Sequence, residues 1–118
     1  MNPSIERKLK TADFGEVVMV LDKYLEGGAL AIQLVSAEDG EPIARLSTRL
    51  DSSSRLPSDC FFMKDWSENV QISADVIQSG WVKPRPDIAP GRSGFICADA
   101  FELLDVPLTQ AEIDEYYA

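Results

Sequence analysis

Histidine is absent from this sequence. That removes the commonest general acid–base group and the commonest metal ligand. Cysteine is scarce, with Cys60 and Cys97 alone, so a standard structural zinc site cannot be assembled from Cys and His. No long apolar run occurs, which excludes a membrane-spanning helix. The opening residues Met1-Asn2-Pro3-Ser4-Ile5-Glu6-Arg7-Lys8 contain no apolar core of a secretory signal. The expected location is therefore the cytoplasm. Positive charge is scarce too. Formal net charge is −9, and no Lys or Arg follows Arg92. Direct binding to nucleic acid needs cations that replace phosphate counterions, and binding to an anionic membrane needs the same. Neither is expected.

The chain has 118 residues, of which 45% are apolar. This fits one domain with its own core. The division expected is an N-terminal segment 1–13, a core 14–104 and an acidic C-terminal helix 105–118. Cys60 and Cys97 both lie in apolar stretches, Cys60-Phe61-Phe62-Met63 and Phe95-Ile96-Cys97-Ala98. Both are expected to be free and buried, because a disulfide is unusual in a reducing compartment.

Glu16 to Tyr24 is β-branched and apolar on both faces. A central strand fits it best, although a short helix has the same length. Glu26-Gly27-Gly28 reads as a hairpin turn. Ala29 to Ser36 follows as a second strand. Asp39-Gly40 marks a second turn, where Pro42 blocks pairing. Ile43 to Leu50 alternates, with Ala44, Leu46, Thr48 and Leu50 set against Arg45, Ser47 and Arg49. A short strand is expected at Cys60 to Lys64 and a helix from about Ser67 to Ser79. Its buried stripe would be Val70, Ala74 and Ile77, widened by Val76, with Ser67 or Asn69 as N-cap and Gly80 as the left-handed C-terminal stop. Trp66 and Trp81 flank this helix and read as anchors to the sheet. Pro84, Pro86 and Pro90 make Trp81 to Arg92 an extended loop. Gly94 to Leu104 is expected as a last strand. Thr109 and Glu112 have capping-box spacing for a C-terminal helix. The fold class is α+β, a twisted and mainly antiparallel sheet of four to five strands with one packed helix and a short C-terminal helix.

No motif for chemistry emerges. Gly91-Arg92-Ser93-Gly94 lacks the spacing and context of a nucleophile elbow. Gly27-Gly28 lacks the following helix of a phosphate loop. Glu38, Asp39 and Glu41 could attract a cation, but Asp-Gly turn chemistry already accounts for them. Neither catalytic residues, nor a metal site, nor a cofactor is expected.

Three stretches taken together do carry a resemblance: 28–34 with 38–42, then 61–69, then Ser93-Gly94-Phe95. In this order they resemble a "domain of unknown function" family of small proteins found on bacterial plasmids, conjugative elements and phages. The resemblance spans roughly residues 14 to 104. Members have a Thr-Val-Asn-Leu-like segment where this chain has Ser47-Thr48-Arg49-Leu50. The family has no assigned catalytic residues to carry over. What it implies is a mobile-element protein, and small acidic proteins of that kind often inhibit host defence by occupying a basic nucleic-acid site.

The leading expectation is thus a non-enzymatic binding protein of anti-CRISPR or antirestriction type, with a protein partner that has a basic surface. The alternatives are a mobile-element accessory protein with an unrelated protein partner and a small-ligand binder or carboxylate-based enzyme. The expected contact carriers are Glu102, Glu112, Asp114 and Glu115, in a segment with no compensating cation. Glu38, Asp39, Glu41 and Glu26 form a competing set on the hairpin turns.

Overall fold

Alternating burial along the first half of the chain builds one four-stranded antiparallel sheet. Its strands are β1 (Lys8–Thr11), β2 (Gly15–Lys23), β3 (Leu30–Ser36) and β4 (Pro42–Arg45), paired in that order. The computed structural model describes residues 2, 4–24, 29–50 and 53–117. Leu9, Val17, Met19, Leu30, Ile32 and Leu34 face the core. Lys8, Lys10, Glu16, Val20 and Asp22 alternate with them and are exposed, as a period of two requires. The turn between β1 and β2 is held by Thr11, whose Oγ1 accepts from Phe14 N–H and donates to Gly15 O. The turn expected at Glu26-Gly27-Gly28 lies outside the described residues; Tyr24 N–H donates to Ala29 O across it. At the next turn Asp39 Oδ1 accepts from Glu41 N–H and Gly40 takes φ +74°. The register shifts between Leu34 and Val35, opposite Pro42.

The strand expected over Ile43 to Leu50 divides at Leu46. Both Leu46 and Ser47 are buried, so strict alternation fails there. Ser47, expected on the solvent side, points inward because its Oγ accepts from Ile32 N–H and bonds to Tyr24 Oη. The chain leaves the first sheet at this point and enters a second one. That sheet contains β5 (Ser47–Thr48), β6 (Cys60–Met63), β7 (Val82–Pro84) and β10 (Ala100–Leu103), in the order β5-β6-β10-β7. Pro84 is tolerated because β7 is an edge strand.

The segment expected as one strand from Gly94 to Leu104 is also divided. β8 (Gly91–Ser93) and β9 (Ile96–Ala98) form a separate two-stranded ribbon ahead of β10. Gly94 supplies φ +59° at its tip, which suits a two-residue hairpin. The region expected to be loop, Trp81 to Arg92, therefore contributes β7 and most of β8. Cys97, expected to be buried, is exposed on this ribbon, whereas Cys60 is buried; both are free.

A 3₁₀ turn at Ser67–Asn69 leads into α1 (Val70–Ser79). Neither Ser67 nor Asn69 caps it through a side chain. Asn69 is buried instead, and its Nδ2 donates to Arg45 O and Lys64 O. This anchor sets the rotation of the helix, so its buried residues are Ile72, Ser73 and Val76. Val70 is 62% exposed and Ala74 is exposed as well, which corrects the expected stripe at those two positions; Val76 is buried and Ile77 packs on the main core, as expected. Gly80 stops the helix with φ +82°, as expected. A Cβ there would lie 2.6 Å from Leu108 O, so this position also needs glycine for a close chain crossing.

Helix α1 packs on both β1 and β7 and so fills the gap between the two sheets. Trp81 helps to close this seam, with its Nε1–H donating to Lys8 O. Arg7, only 1% exposed, lies 5.8 Å above the Trp81 ring. Its guanidinium donates to Leu104 O at 2.8 Å and to Asp105 Oδ1 at 2.9 Å. The main core holds Leu34, Leu46, Phe61, Val76, Leu103 and their neighbours. A smaller core of Leu50, Phe62, Ala98 and Ala100 covers the other face of the second sheet, with Trp66 packed against it. The two tryptophans thus anchor different cores. Finally α2 (Gln110–Tyr116) begins with the expected capping box between Thr109 and Glu112 and buries Ile113. No helix among the described residues is long and apolar enough to cross a membrane.

Candidate functional site: a row of unpaired carboxylates

The sheet geometry places the turn Ala12–Phe14 beside the turn Ala37–Gly40, because hairpins β1–β2 and β3–β4 both turn at the same end of the first sheet. Ala37 N–H donates to Glu16 O. Phe14, Glu16, Ser36 and Glu38 line one shallow hollow of about 220 Å³. Phe14 is half-exposed at this end. Glu38, Asp39 and Glu41 are exposed on the second turn and Asp13 on the first.

The row continues onto the helices. Ala12 N–H donates to Asp75 Oδ2 of α1 at 3.1 Å. One turn further along α1, Gln78 Oε1 accepts from Gln110 Nε2 of α2, and Gln110 also donates to Asp114 Oδ1 at 2.9 Å. Glu112 and Glu115 are exposed beside Asp114. Among the described residues, none of Asp13, Glu38, Asp39, Glu41, Asp75, Glu112, Asp114 and Glu115 has a cation within ion-pair distance. Two cations interrupt the row, Lys8 and Lys10, which line the hollow next to Asp75 and Gln78. Lys8 is engaged with Glu6 at 3.2 Å and Glu16 at 3.7 Å. The hydrogen bond to Glu6, with the charges of both acids, raises its pKa.

The expected contact residues separate into three groups. Glu38, Asp39 and Glu41 lie together on the turn, where backbone hydrogen bonds engage Asp39 and the residues around it. Asp114 and Glu115 lie together on α2, with Glu112 held in the capping box by Thr109 N–H. Glu102 belongs with neither. Its side chain is 19% exposed and pairs with Arg85 at 2.9 Å and Lys83 at 3.8 Å. The expectation that the C-terminal segment has no compensating cation is corrected here. The cations come from β7, which pairs with β10 in space, and from Arg85 just after it. Asp105 is likewise compensated, by Arg7. Glu26 lies outside the described residues. Asp13, Phe14 and Asp75 were not singled out from the sequence, because only the fold brings the first turn, α1 and α2 side by side.

A second polar cluster surrounds Arg85. Its guanidinium holds both oxygens of Asp87 at 2.8–2.9 Å, and Nη1 points at Cys60 Sγ at 3.6 Å. Burial and the Asp59 carboxylate push the Cys60 thiol up to about 11. It stays protonated near neutrality and is a poor nucleophile. The cluster serves as an internal tie between β7, β10 and the three-proline loop. No group of three or more Cys, Asp or Glu among the described residues is arranged to hold a metal ion. The chemistry available to the exposed row is the attraction of cations and the acceptance of hydrogen bonds.

Comparison of the chain with protein-family models, curated proteins and solved structures finds no match in any of the three.

Proposed function

We propose that this chain is a non-enzymatic binding protein that presents its carboxylate row to a basic surface of a protein partner, one that otherwise holds nucleic acid. The observation that carries the reading is that the row joins four elements of the fold, with Lys8 and Lys10 as its two interruptions. Turn, turn, helix and helix are linked by named contacts, and the acids on them lack cation partners. Scattered acids would serve solubility alone. A linked row can follow a Lys/Arg groove in place of phosphates. The resemblance to mobile-element proteins supports a host-defence inhibitor of anti-CRISPR or antirestriction type. Such a target places its action in the cytoplasm, where free thiols such as Cys60 and Cys97 persist.

The test is capture of host proteins on the immobilised chain, with duplex DNA as competitor. The reading expects a DNA- or RNA-binding protein that is released by added DNA and lost from the variant Glu38→Lys/Asp39→Lys/Glu41→Lys. Capture that DNA does not disturb, but that the variant loses, would favour an accessory protein with an unrelated partner. Capture that neither DNA nor the variant disturbs would contradict the role of the row.

A further inference from the structure

The ribbon β8–β9 ends in an apolar tip that the fold does not use. Phe95 is fully exposed, and Ile96 and Cys97 next to it are exposed too. The ribbon itself is firmly seated. Ala98 belongs to the smaller core, and a Cβ on Gly91 would come within 2.6 Å of the Phe62 ring. An aromatic side chain held outward on a seated hairpin loses little conformational freedom when it is bound, and aromatic residues are enriched at protein interfaces.

A groove of about 350 Å³ lies on the other side of the ribbon's base, between the three-proline loop and the end of α2. Its walls include Pro84, Ile88, Pro90, Phe101 and Tyr117, with Asp99 also lining it. Burial against this wall pushes the Tyr117 hydroxyl up to about 12. The groove is mainly apolar, although Arg85 and Asp99 also line it; it is large enough for one phenylalanine side chain and walled by prolines that need no ordering on binding. Phe95 does not fill it. It lies beside Asp65 and Trp66 instead.

Knob and groove belong to one patch about the ribbon, the groove at its base, where Pro90 precedes β8 and Asp99 follows β9, and the knob at its tip. A two-fold axis through such a patch brings each knob to the other copy's groove, because an isologous contact pairs i with j and j with i. Charge favours a second copy at this place. The protein as a whole carries −9, yet residues 83–103 hold Lys83, Arg85 and Arg92 against Asp87, Asp99 and Glu102, with no net charge. Arg92 and Asp99 are both exposed, and neither has an ion-pair partner among the described residues. Across the axis they are opposite charges free to pair.

We infer that the chain pairs with a second copy of itself through a two-fold contact in which Phe95 of each copy occupies the proline-lined groove of the other. None of the carboxylates of the row takes part, so the inference is independent of the proposed partner. Sedimentation equilibrium over a concentration series tests it. Wild-type chain should shift from the 13.0 kDa species to twice that mass and go no further. Phe95→Ser, an exposed substitution that leaves the fold intact, should weaken the association at least tenfold. Arg92→Asp should also weaken it, and Arg92→Asp combined with Asp99→Arg should restore it. A wild-type chain that stays monomeric at all concentrations overturns the inference, as does a Phe95→Ser variant that associates like wild type. Mass that keeps growing with concentration would contradict the two-fold arrangement.

Discussion

The two thiols illustrate how little a local sequence says about one residue's surroundings. Both sit among apolar neighbours, but Cys60 is buried under Arg85 on β6 while Cys97 stands exposed on the ribbon. The expected outcome is that a thiol reagent modifies Cys97 rapidly in the native protein and Cys60 only after denaturation. Equal, rapid modification of both in folded protein would show that Cys60 is not enclosed. A carboxylate gives a pH-dependent counterpart. The hydrogen bond from Lys64 pulls Glu68 down from 4.5 to about 2. Because the folded value is the lower one, the contribution of this pair is present above about pH 4.5 and is lost as pH falls through about 2. Glu68→Gln should therefore differ from wild type in melting temperature near neutrality, and the difference should close at about pH 2. A difference that does not vary with pH would contradict the pairing. Glu68 is largely solvated, so the effect should be small.

At the scale of the element, α1 provides the sharpest contrast. Ile72→Ala should cost about 2–5 kcal/mol by leaving a cavity in the main core. Val70→Glu and Ala74→Glu should stay within about 0.5 kcal/mol, as exposed substitutions do. Chemical denaturation of the three variants checks this, and a large loss for Val70→Glu would return the helix to the stripe expected from sequence. That stripe held at Val76 and Ile77 but failed at Val70 and Ala74, for a physical reason. Periodicity gives the spacing of apolar residues, but the rotation was set by Asn69, a polar residue buried because it satisfies the carbonyls of Arg45 and Lys64. Strand β2 was legible from its run of β-branched and apolar residues, and β3 from Leu30, Ile32 and Leu34 on one face. Gly80 and the Thr109–Glu112 capping box were legible because their chemistry is local. Strand β1 was not, since Lys8-Leu9-Lys10 offers a single apolar residue to alternate. The break at Leu46 depends on Ser47 serving as a buried acceptor for Ile32, a long-range bond that no window along the chain contains. The candidate site was legible only in part. Turn and tail acids stood out by composition, whereas the pairing of Glu102 with Arg85 and Lys83 required the β7–β10 ladder.

For the whole molecule, the decisive quantity is where net charge remains after internal pairing. Arg7, Lys64, Lys83 and Arg85 are taken up by Asp105, Glu68, Glu102 and Asp87. Among the described acids outside these pairs, Asp13, Glu38, Asp39, Glu41, Asp114 and Glu115 lie on the β1–β2 turn, the β3–β4 turn and α2, while Asp22, Asp59, Asp65 and Asp99 lie elsewhere. Charges of this kind steer encounter and are screened by salt, with a Debye length of about 10 Å at 0.1 M. The most direct measurement is the association and dissociation kinetics of the captured partner across a salt series. It compares wild type with Glu38→Lys/Asp39→Lys/Glu41→Lys and with Asp114→Lys/Glu115→Lys. Both variants should fold normally, their association rate should be at least tenfold lower at low salt, dissociation should change less, and the wild-type association rate should fall toward theirs as salt rises. Association rates that are the same for all three proteins and indifferent to salt would contradict this, and would leave the carboxylate row a role in solubility alone.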